Sequence, residues 1–337
     1  MKDVLNYNLK GRNTFGMDVE CRRFIEFYSE DELHQVIKSL TDADKPLFVL
    51  GGGSNVLFTK DFDGTVLHSA IKGHHATRMD GSVFLRCGSG ETWDDVVKLC
   101  VENGLYGAEN LSLIPGEVGA TAVQNIGAYG VEAKDLIFKI EAIDINTGQK
   151  REFLNEDCDY SYRWSKFKGE WKNQYVITFV TYKLSDTFVP RLEYGNIQSE
   201  LDKRGIKTPT VTQMRNVVKE IRKAKLPDPS VEGNAGSFFT NPIVTKGKYV
   251  QLVNEFGTVP HYLVDEENIK IPAGWMIEQC GWKGKLLGRV GVHSRQALVL
   301  VNKGGAEGKD VLKLCEAIQS DVMNKFGIEI KPEVNII

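Results

Sequence analysis

Residues 47–50, an apolar run, lead without a break into three glycines, Ser54 and Asn55. That junction limits the fold more than any other stretch. Consecutive residues without a Cβ let the backbone turn sharply and bring successive N–H groups against an anion or another backbone. Two readings stay open, a tight strand-to-strand turn and a cradle for a pyrophosphate. Neither is the dinucleotide-binding βαβ turn. The GxGxxG spacing is missing, and strand-like residues follow where a helix should open.

Elsewhere the chain alternates helix and strand signals irregularly. Ser29 and Glu32 form a capping box ahead of Leu33, Val36, Ile37 and Leu40. Thr92 and Asp95 open a second helix that stops at Gly104, and Thr210 with Gln213 opens a third that closes before Pro227. The last helix runs from about Lys309 to Phe326 and ends at Gly327. Strand patterns occupy 46–50, 64–68, 83–87, 137–145, 174–184 and 297–301. Without the strict alternation of a doubly wound sheet, the expected class is α+β in several lobes. Seams are expected near 71–75 and at 225–229, where Leu226-Pro227-Asp228-Pro229 breaks helix and strand alike.

The 337 residues suffice for two or three domains, and a net charge of −3 gives no basic field for nucleic acid. Six cysteines lie scattered without CxxC spacing, so reduced thiols and no thiolate metal site are expected. The six histidines show no metal-ligand spacing either, and no metal is expected. The N-terminal stretch lacks the apolar segment of a signal peptide, and no run approaches the roughly 18 apolar residues of a membrane span. A cytoplasmic protein without a membrane partner is expected.

Four segments carry chemistry. PGEVGATAVQNIGAYG, 115–130, is built of small residues around Gln124 and Asn125. It suits either a close crossing of two backbones or the face of a wide planar ligand; paired with the glycine loop, it favours a dinucleotide. Tyr160, Tyr162, Arg163, Ser165 and Lys168 cluster at 160–168, where an arginine between aromatics is either a carboxylate clamp or a stacked side chain on a solvated edge. GNAGSFFTNP, 233–242, holds Ser237 in a glycine-framed turn with Asn241 close behind. A serine serves as an acid only beside developing negative charge, and no GxSxG elbow supports a hydrolase. Glu333 sits among Val334, Ile336 and Ile337, either as a partly buried carboxyl able to polarise a substrate carboxylate or as an edge glutamate in water.

Taken in order, NTFG (13–16), GGGSN (51–55), IPGEVGA and QNIGAYG (114–130), YRWSKFK (162–168), KLPDP (225–229), GNAGSFFTNP (233–242), AGWMIEQCG (273–281), HSRQALV (293–299) and KPEV (331–334) strongly resemble the UDP-N-acetylenolpyruvoylglucosamine reductase family. The resemblance covers the chain from about Asn13 onward. It implies a vanillyl-alcohol-oxidase (p-cresol methylhydroxylase) type of FAD-binding fold. Two FAD-binding lobes, 1–72 and 73–225, would be followed by a C-terminal α+β substrate-binding domain, 226–337.

The resemblance also implies roles. Gly51, Gly52, Gly53, Ser54, Asn55 and Val56, then Gly116, Glu117, Val118 and Gly119, then Gln124, Asn125, Ile126 and Gly127, match the family's FAD contacts. Arg163, Ser237 and Glu333 fall on its catalytic positions. Tyr162, Tyr194, Lys225, Asn241 and Gln296 match substrate contacts, and Tyr262 resembles the loop tyrosine of a subgroup with an inserted capping loop. The implied reaction uses noncovalent FAD, with NADPH as co-substrate, to reduce UDP-N-acetylglucosamine enolpyruvate to UDP-N-acetylmuramate for peptidoglycan synthesis, in a monomer. Hydride passes from reduced flavin to the vinyl carbon, Arg163 and Glu333 stabilise the enolate, and Ser237 protonates it. An oxygen-using flavin oxidase of the same fold and a non-catalytic flavin or nucleotide sensor are the competing readings. No His or Cys in the cofactor loops offers a covalent flavin tether, and a sensor has no use for the three catalytic-position residues. One departure is Ala122, where the family usually carries proline; alanine allows a wider φ range.

Overall fold

Ser29 begins the first helix as its spacing predicts. Its Oγ accepts the Glu32 N–H at 3.1 Å, and Glu32 Oε2 reaches back to the N–H of Tyr28 at 2.8 Å. The helix Val211–Lys225 starts on a reciprocal box, with Thr210 Oγ1 accepting from Gln213 N–H at 3.2 Å and Gln213 Oε1 accepting from Thr210 N–H at 2.8 Å. Thr92 differs from expectation. Its side chain caps nothing, and the helix Trp93–Glu102 starts with the Trp93 N–H donating to the Gly116 carbonyl at 3.0 Å. The final helix, Gly308–Phe326, closes on Gly327 in the left-handed conformation.

The computed structural model describes residues 1–79 and 81–337. They divide into two compact units, one of residues 1–7, 20–52 and 63–224, the other of 8–19, 53–62 and 225–337. The architecture mixes helices and sheets as an α+β protein.

In the first unit a four-stranded sheet has the order Lys2–Asn8, Glu20–Phe27, Phe62–Ser69, Leu47–Val49, the last pair parallel. A five-stranded antiparallel sheet runs Lys150–Leu154, Ile137–Asp144, Tyr175–Ser185, Ser82–Gly88, His74–Met79. Ile25, Phe27 and Leu67 from the first sheet pack with Ile143 and Val176 from the second and with Leu33 and Val36 of the first helix. Against the other face of the five-stranded sheet lie Trp93, Val97 and Cys100 and the helix Val118–Gln124, whose Val118 and Ala122 are fully buried. That helix was not legible in the sequence, where its small residues read as a flat loop; it is seated in the apolar core through Val118 and Ala122, with Thr121 Oγ1 2.6 Å from Tyr182 Oη.

In the second unit, Val56–Leu57 pairs in parallel with Asn335–Ile336. Leu286–Leu287, Val290–Val292 and Leu300–Asn302 form an antiparallel sheet, and the helix Gly308–Phe326 buries Val311, Leu314, Ile318 and Val322. The strand expected at 297–301 is confined to Leu300–Asn302. All six cysteines are free thiols. Among the described residues no helix is long and apolar enough to cross a membrane, and no group of three His, Cys, Asp or Glu residues is arranged to hold a metal.

Candidate active site and cofactor loops

In the first unit the two glycine-rich stretches cross. A Cβ on Gly52 would stand 3.2 Å from the Gly116 Cα, so a larger residue would press the two backbones apart. Beside it, Glu117 precedes the helix Val118–Gln124, and its Oε2 lies 3.5 Å from where a Gly51 Cβ would be. The helix start is bound to its surroundings by Val118 N–H to the Glu91 carbonyl at 2.9 Å and Gly119 N–H to the Ser89 carbonyl at 2.8 Å. By contrast, no acceptor among the described residues meets the backbone N–H of Gly51 or Gly52. Adjacent main-chain donors without internal partners, on a backbone with no Cβ to obstruct approach, suit a pyrophosphate. The residues present therefore fit a dinucleotide cofactor.

Arg163 is built onto the end of the second loop. Its residue has φ +57°, in the left-handed region, inside the turn closed by the Ser161–Trp164 bridge. Nη2 donates to the Gly127 carbonyl at 2.7 Å and Nη1 to the Asn125 carbonyl at 3.4 Å. A Cβ on Gly127 would sit 2.9 Å from Nη1, so any larger residue there displaces the guanidinium. The Tyr162 ring centre lies 5.3 Å from the guanidinium carbon.

Lys168 Nζ links the same parts, donating to Gln124 Oε1 at 2.8 Å and to the Arg163 carbonyl at 2.9 Å. Asn125, fully buried, spends its side chain on protein. Nδ2 donates to Glu132 Oε2 and to the Ser161 carbonyl, and Oδ1 accepts from the Lys134 N–H. Ser165 Oγ donates to the Val123 carbonyl at 2.7 Å, a structural tie rather than a reactive hydroxyl. Val118 is core, and Ile126 packs against it. Tyr194 lies against Gly130.

Sequence reasoning missed Arg222, half-buried with Nε donating to the Leu113 carbonyl at 3.2 Å. Burial lowers its pKa; the Tyr129 and Asp94 side chains oppose that shift, and the positive charge of Arg163 adds to it. Two guanidiniums thus raise the local positive potential, and only the fold brings residues 163 and 222 into range of each other.

In the second unit, Ser237 lies on a segment bonded on both sides. Ser237 bridges Val299, Phe238 N–H donates to the Leu298 carbonyl at 2.7 Å, and the Phe238 carbonyl accepts the Glu333 N–H at 2.8 Å. The serine and the glutamate therefore sit on neighbouring, backbone-bonded segments. Asn55 fastens the glutamate segment, with Nδ2 donating to the Glu333 carbonyl at 3.3 Å and its own carbonyl accepting the Asn335 N–H at 3.1 Å. Val56 is buried in the short parallel pair beside it. The Gly53 carbonyl accepts the Thr14 N–H at 3.1 Å, and Thr14 Oγ1 donates to the Asn234 carbonyl at 2.6 Å. Ser54 follows Gly53 in this turn.

Asn234, also missed, shapes the serine turn. Its Oδ1 accepts the Gly236 N–H at 2.9 Å, and Nδ2 donates to the Glu232 carbonyl at 2.8 Å. Its signal was the GNAGS motif, in which an Asn two residues before a glycine folds back onto the backbone.

Asn241 and Gln296 meet at the helix Ala273–Gln279, where Asn241 Oδ1 accepts the Ala273 N–H at 2.9 Å and Gln296 Oε1 lies 3.4 Å from where a Gly274 Cβ would be. Tyr262 stands on the exposed two-residue strand Tyr262–Leu263, with Lys270 Nζ 5.8 Å from its ring centre. Lys225, the last residue of its helix, is exposed.

Residues 22–153 match the family described as FAD binding domain, and residues 228–337 the family described as UDP-N-acetylenolpyruvoylglucosamine reductase, C-terminal domain. In overall fold the chain is similar to the crystal structure of p-cresol methylhydroxylase with substrate bound, at a TM-score of 0.50 and 11% identity, covering 97% of this chain and 84% of that one. It is also similar to the crystal structure of UDP-N-acetylenolpyruvylglucosamine reductase from Thermus caldophilus, at a TM-score of 0.68 and 22% identity, covering 99% and 98%. Fold and loops together define an FAD-dependent flavoprotein of the p-cresol methylhydroxylase type.

UDP-N-acetylenolpyruvoylglucosamine reductases of Bacteroides fragilis and Flavobacterium johnsoniae are 50% and 46% identical to the chain, each covering 98% of it, over 99% and 98% of their own lengths. The chain belongs to the UDP-N-acetylenolpyruvoylglucosamine reductase family.

Proposed function

We propose that the chain reduces UDP-N-acetylglucosamine enolpyruvate to UDP-N-acetylmuramate, with NADPH as reductant, in the synthesis of peptidoglycan precursors. Bound FAD supplies the two-electron relay between NADPH and the enolpyruvyl double bond. The observation that carries the reading is the seating of Arg163 on the cofactor loop, with Nη2 held by the Gly127 carbonyl at 2.7 Å. A guanidinium fixed there has its charge placed before the reaction begins, which is what stabilises a developing anion most.

In this reading Arg163 and Glu333 orient the substrate carboxylate and stabilise it as negative charge spreads from the α-carbon. Ser237 donates its proton to that carbon and takes one back from solvent. Tyr162, Tyr194, Lys225, Asn241, Tyr262 and Gln296 hold the nucleotide sugar. The residues 51–56, 116–119 and 124–127 hold FAD noncovalently, since neither His nor Cys lies among them. Residues 1–72 and 73–225 serve as FAD-binding lobes and 226–337 as the substrate-binding domain, in a cytoplasmic monomer.

The test is anaerobic. The yellow protein is bleached with NADPH, and flavin absorbance is followed on adding the UDP-enolpyruvyl sugar. Return of colour without oxygen supports the reading. Bleaching without return removes this sugar as the electron acceptor, and a protein that binds no FAD overturns the reading altogether.

A further inference from the structure

His68, on the strand Phe62–Ser69, is buried beside the first cofactor loop and has itself no part in the chemistry above. Its Nδ1 lies 2.9 Å from the Leu50 carbonyl, which can only accept, so Nδ1 carries a proton. Its Nε2 faces two carboxylates, Glu26 Oε2 at 3.5 Å and Glu117 Oε1 at 3.7 Å. Both are shielded from water, with side chains 10% and 18% exposed.

Tyr28 Oη donates to Glu26 Oε1 at 2.7 Å, and Phe24 stacks on the ring at 6.1 Å between centres. Beyond Phe24 stands Tyr7, with Lys2 Nζ 4.4 Å from its ring centre. Glu117 is the residue whose carboxylate lies over Gly51 and whose carbonyl accepts the Ala120 N–H at 3.0 Å.

We propose that His68 is a positioning residue for the cofactor loops, held as an imidazolium that clamps Glu117 and Glu26 and so fixes the 115–119 stretch against Gly51 and Gly52. Two ionised carboxylates buried this close repel each other and would also repel a neighbouring pyrophosphate. A proton on Nε2 offsets the first repulsion by attracting both carboxylates and weakens the second by halving the negative charge of the cluster. The charged form is favoured by its two partners, so the clamp is present at lower pH and is lost as pH rises through the pKa of His68 in the folded protein.

This inference rests on the assignment of these loops to FAD, and two measurements keep the questions apart. The first is nitrogen-detected NMR of the ¹⁵N-histidine-labelled holoprotein, with the His68 signal assigned by its absence in His68→Gln. Both ring nitrogens are expected to stay protonated at pH 7.5. A neutral ring at that pH overturns the proposal, whatever the cofactor does.

The second is the FAD dissociation constant of the reconstituted apoprotein as a function of pH. His68→Gln is expected to weaken FAD binding at least about tenfold and to flatten its pH dependence. Adding Glu117→Gln to that variant removes the repulsion and is expected to restore most of the loss. A double variant no better than His68→Gln would make His68 a packing residue only. If wild-type apoprotein takes up no FAD, the loop assignment fails, and the NMR result still decides the charge state of His68.

Discussion

The main-chain N–H of Glu333 donates to the carbonyl of Phe238 at 2.8 Å, which sets the glutamate one residue across from Ser237. The neighbouring Phe239–Pro332 bridge and the Thr240 N–H to Lys331 carbonyl bond at 2.9 Å repeat the pairing. Two groups almost a hundred residues apart in sequence are therefore spaced by backbone bonds rather than by flexible side chains. Such spacing is what the proposed proton donor and carboxylate-orienting group need to act on one substrate.

Replacing Ser237 by alanine tests the proton donor. Bleaching of the flavin by NADPH is expected to proceed at its normal rate, while reoxidation by the UDP-enolpyruvyl sugar falls by about 10²–10⁴. Stopped-flow absorbance separates the two half-reactions. Equal loss in both would remove Ser237 from the protonation step.

Gly127→Ala probes the seat of Arg163 while leaving the arginine itself in place in the sequence. The new methyl would stand 2.9 Å from Nη1 and 3.0 Å from Glu132 Cγ, so the arginine must shift. A displacement on this scale is expected to lower kcat/KM by about 10²-fold. Steady-state kinetics on the FAD-loaded variant reads it, and unchanged kinetics would show that the arginine position is not critical.

Asn234→Ala removes the acceptor for the Gly236 N–H and the donor to the Glu232 carbonyl, both in a side chain only 2% exposed. The expected loss of stability is about 2 kcal/mol, measured by urea unfolding, with a fall in turnover because the Ser237 turn loosens. A stable variant of normal turnover would assign the turn geometry to its glycines alone.

Acid stability should depend on Glu141. Burial alone would raise this carboxyl, yet hydrogen bonds from Arg86 and Lys150 outweigh it and hold the pKa at about 2, against 4.5 for the free group. The bonds are short, Arg86 Nε to Oε1 at 2.6 Å, Arg86 Nη2 to Oε2 at 2.8 Å and Lys150 Nζ to Oε2 at 2.9 Å. A depressed folded-state pKa gives stability that is complete above about pH 4.5 and disappears as pH falls toward about 2. Glu141→Gln is expected to cost about 2 kcal/mol at pH 7, after allowing for solvent around Arg86, and about a quarter of that at pH 2.5. Unfolding curves at the two pH values give the difference, and an equal cost at both would show that the carboxylate charge is not what stabilises.

Local chemistry was legible in the sequence wherever neighbours along the chain decide it. The cap at Ser29 and the capping box at Thr210 mark helix starts because their partners are three or four residues away, and Gly327 ends the last helix for the same local reason. Glycine runs stood out because few other residues fit such turns, Arg163 because aromatic residues flank it and Ser237 because glycines frame it. The strand His74–Met79, exposed along its whole length, was missed, since it has no buried face to impose alternation and pairs through its backbone with Ser82–Gly88. Likewise only the fold decides that residues 8–19 and 53–62 join the C-terminal unit, that Gly127 lies under Arg163 and that His68 meets Glu26 and Glu117. In each of these the partners are far apart in sequence. Burial and backbone pairing, which no local pattern records, bring them together.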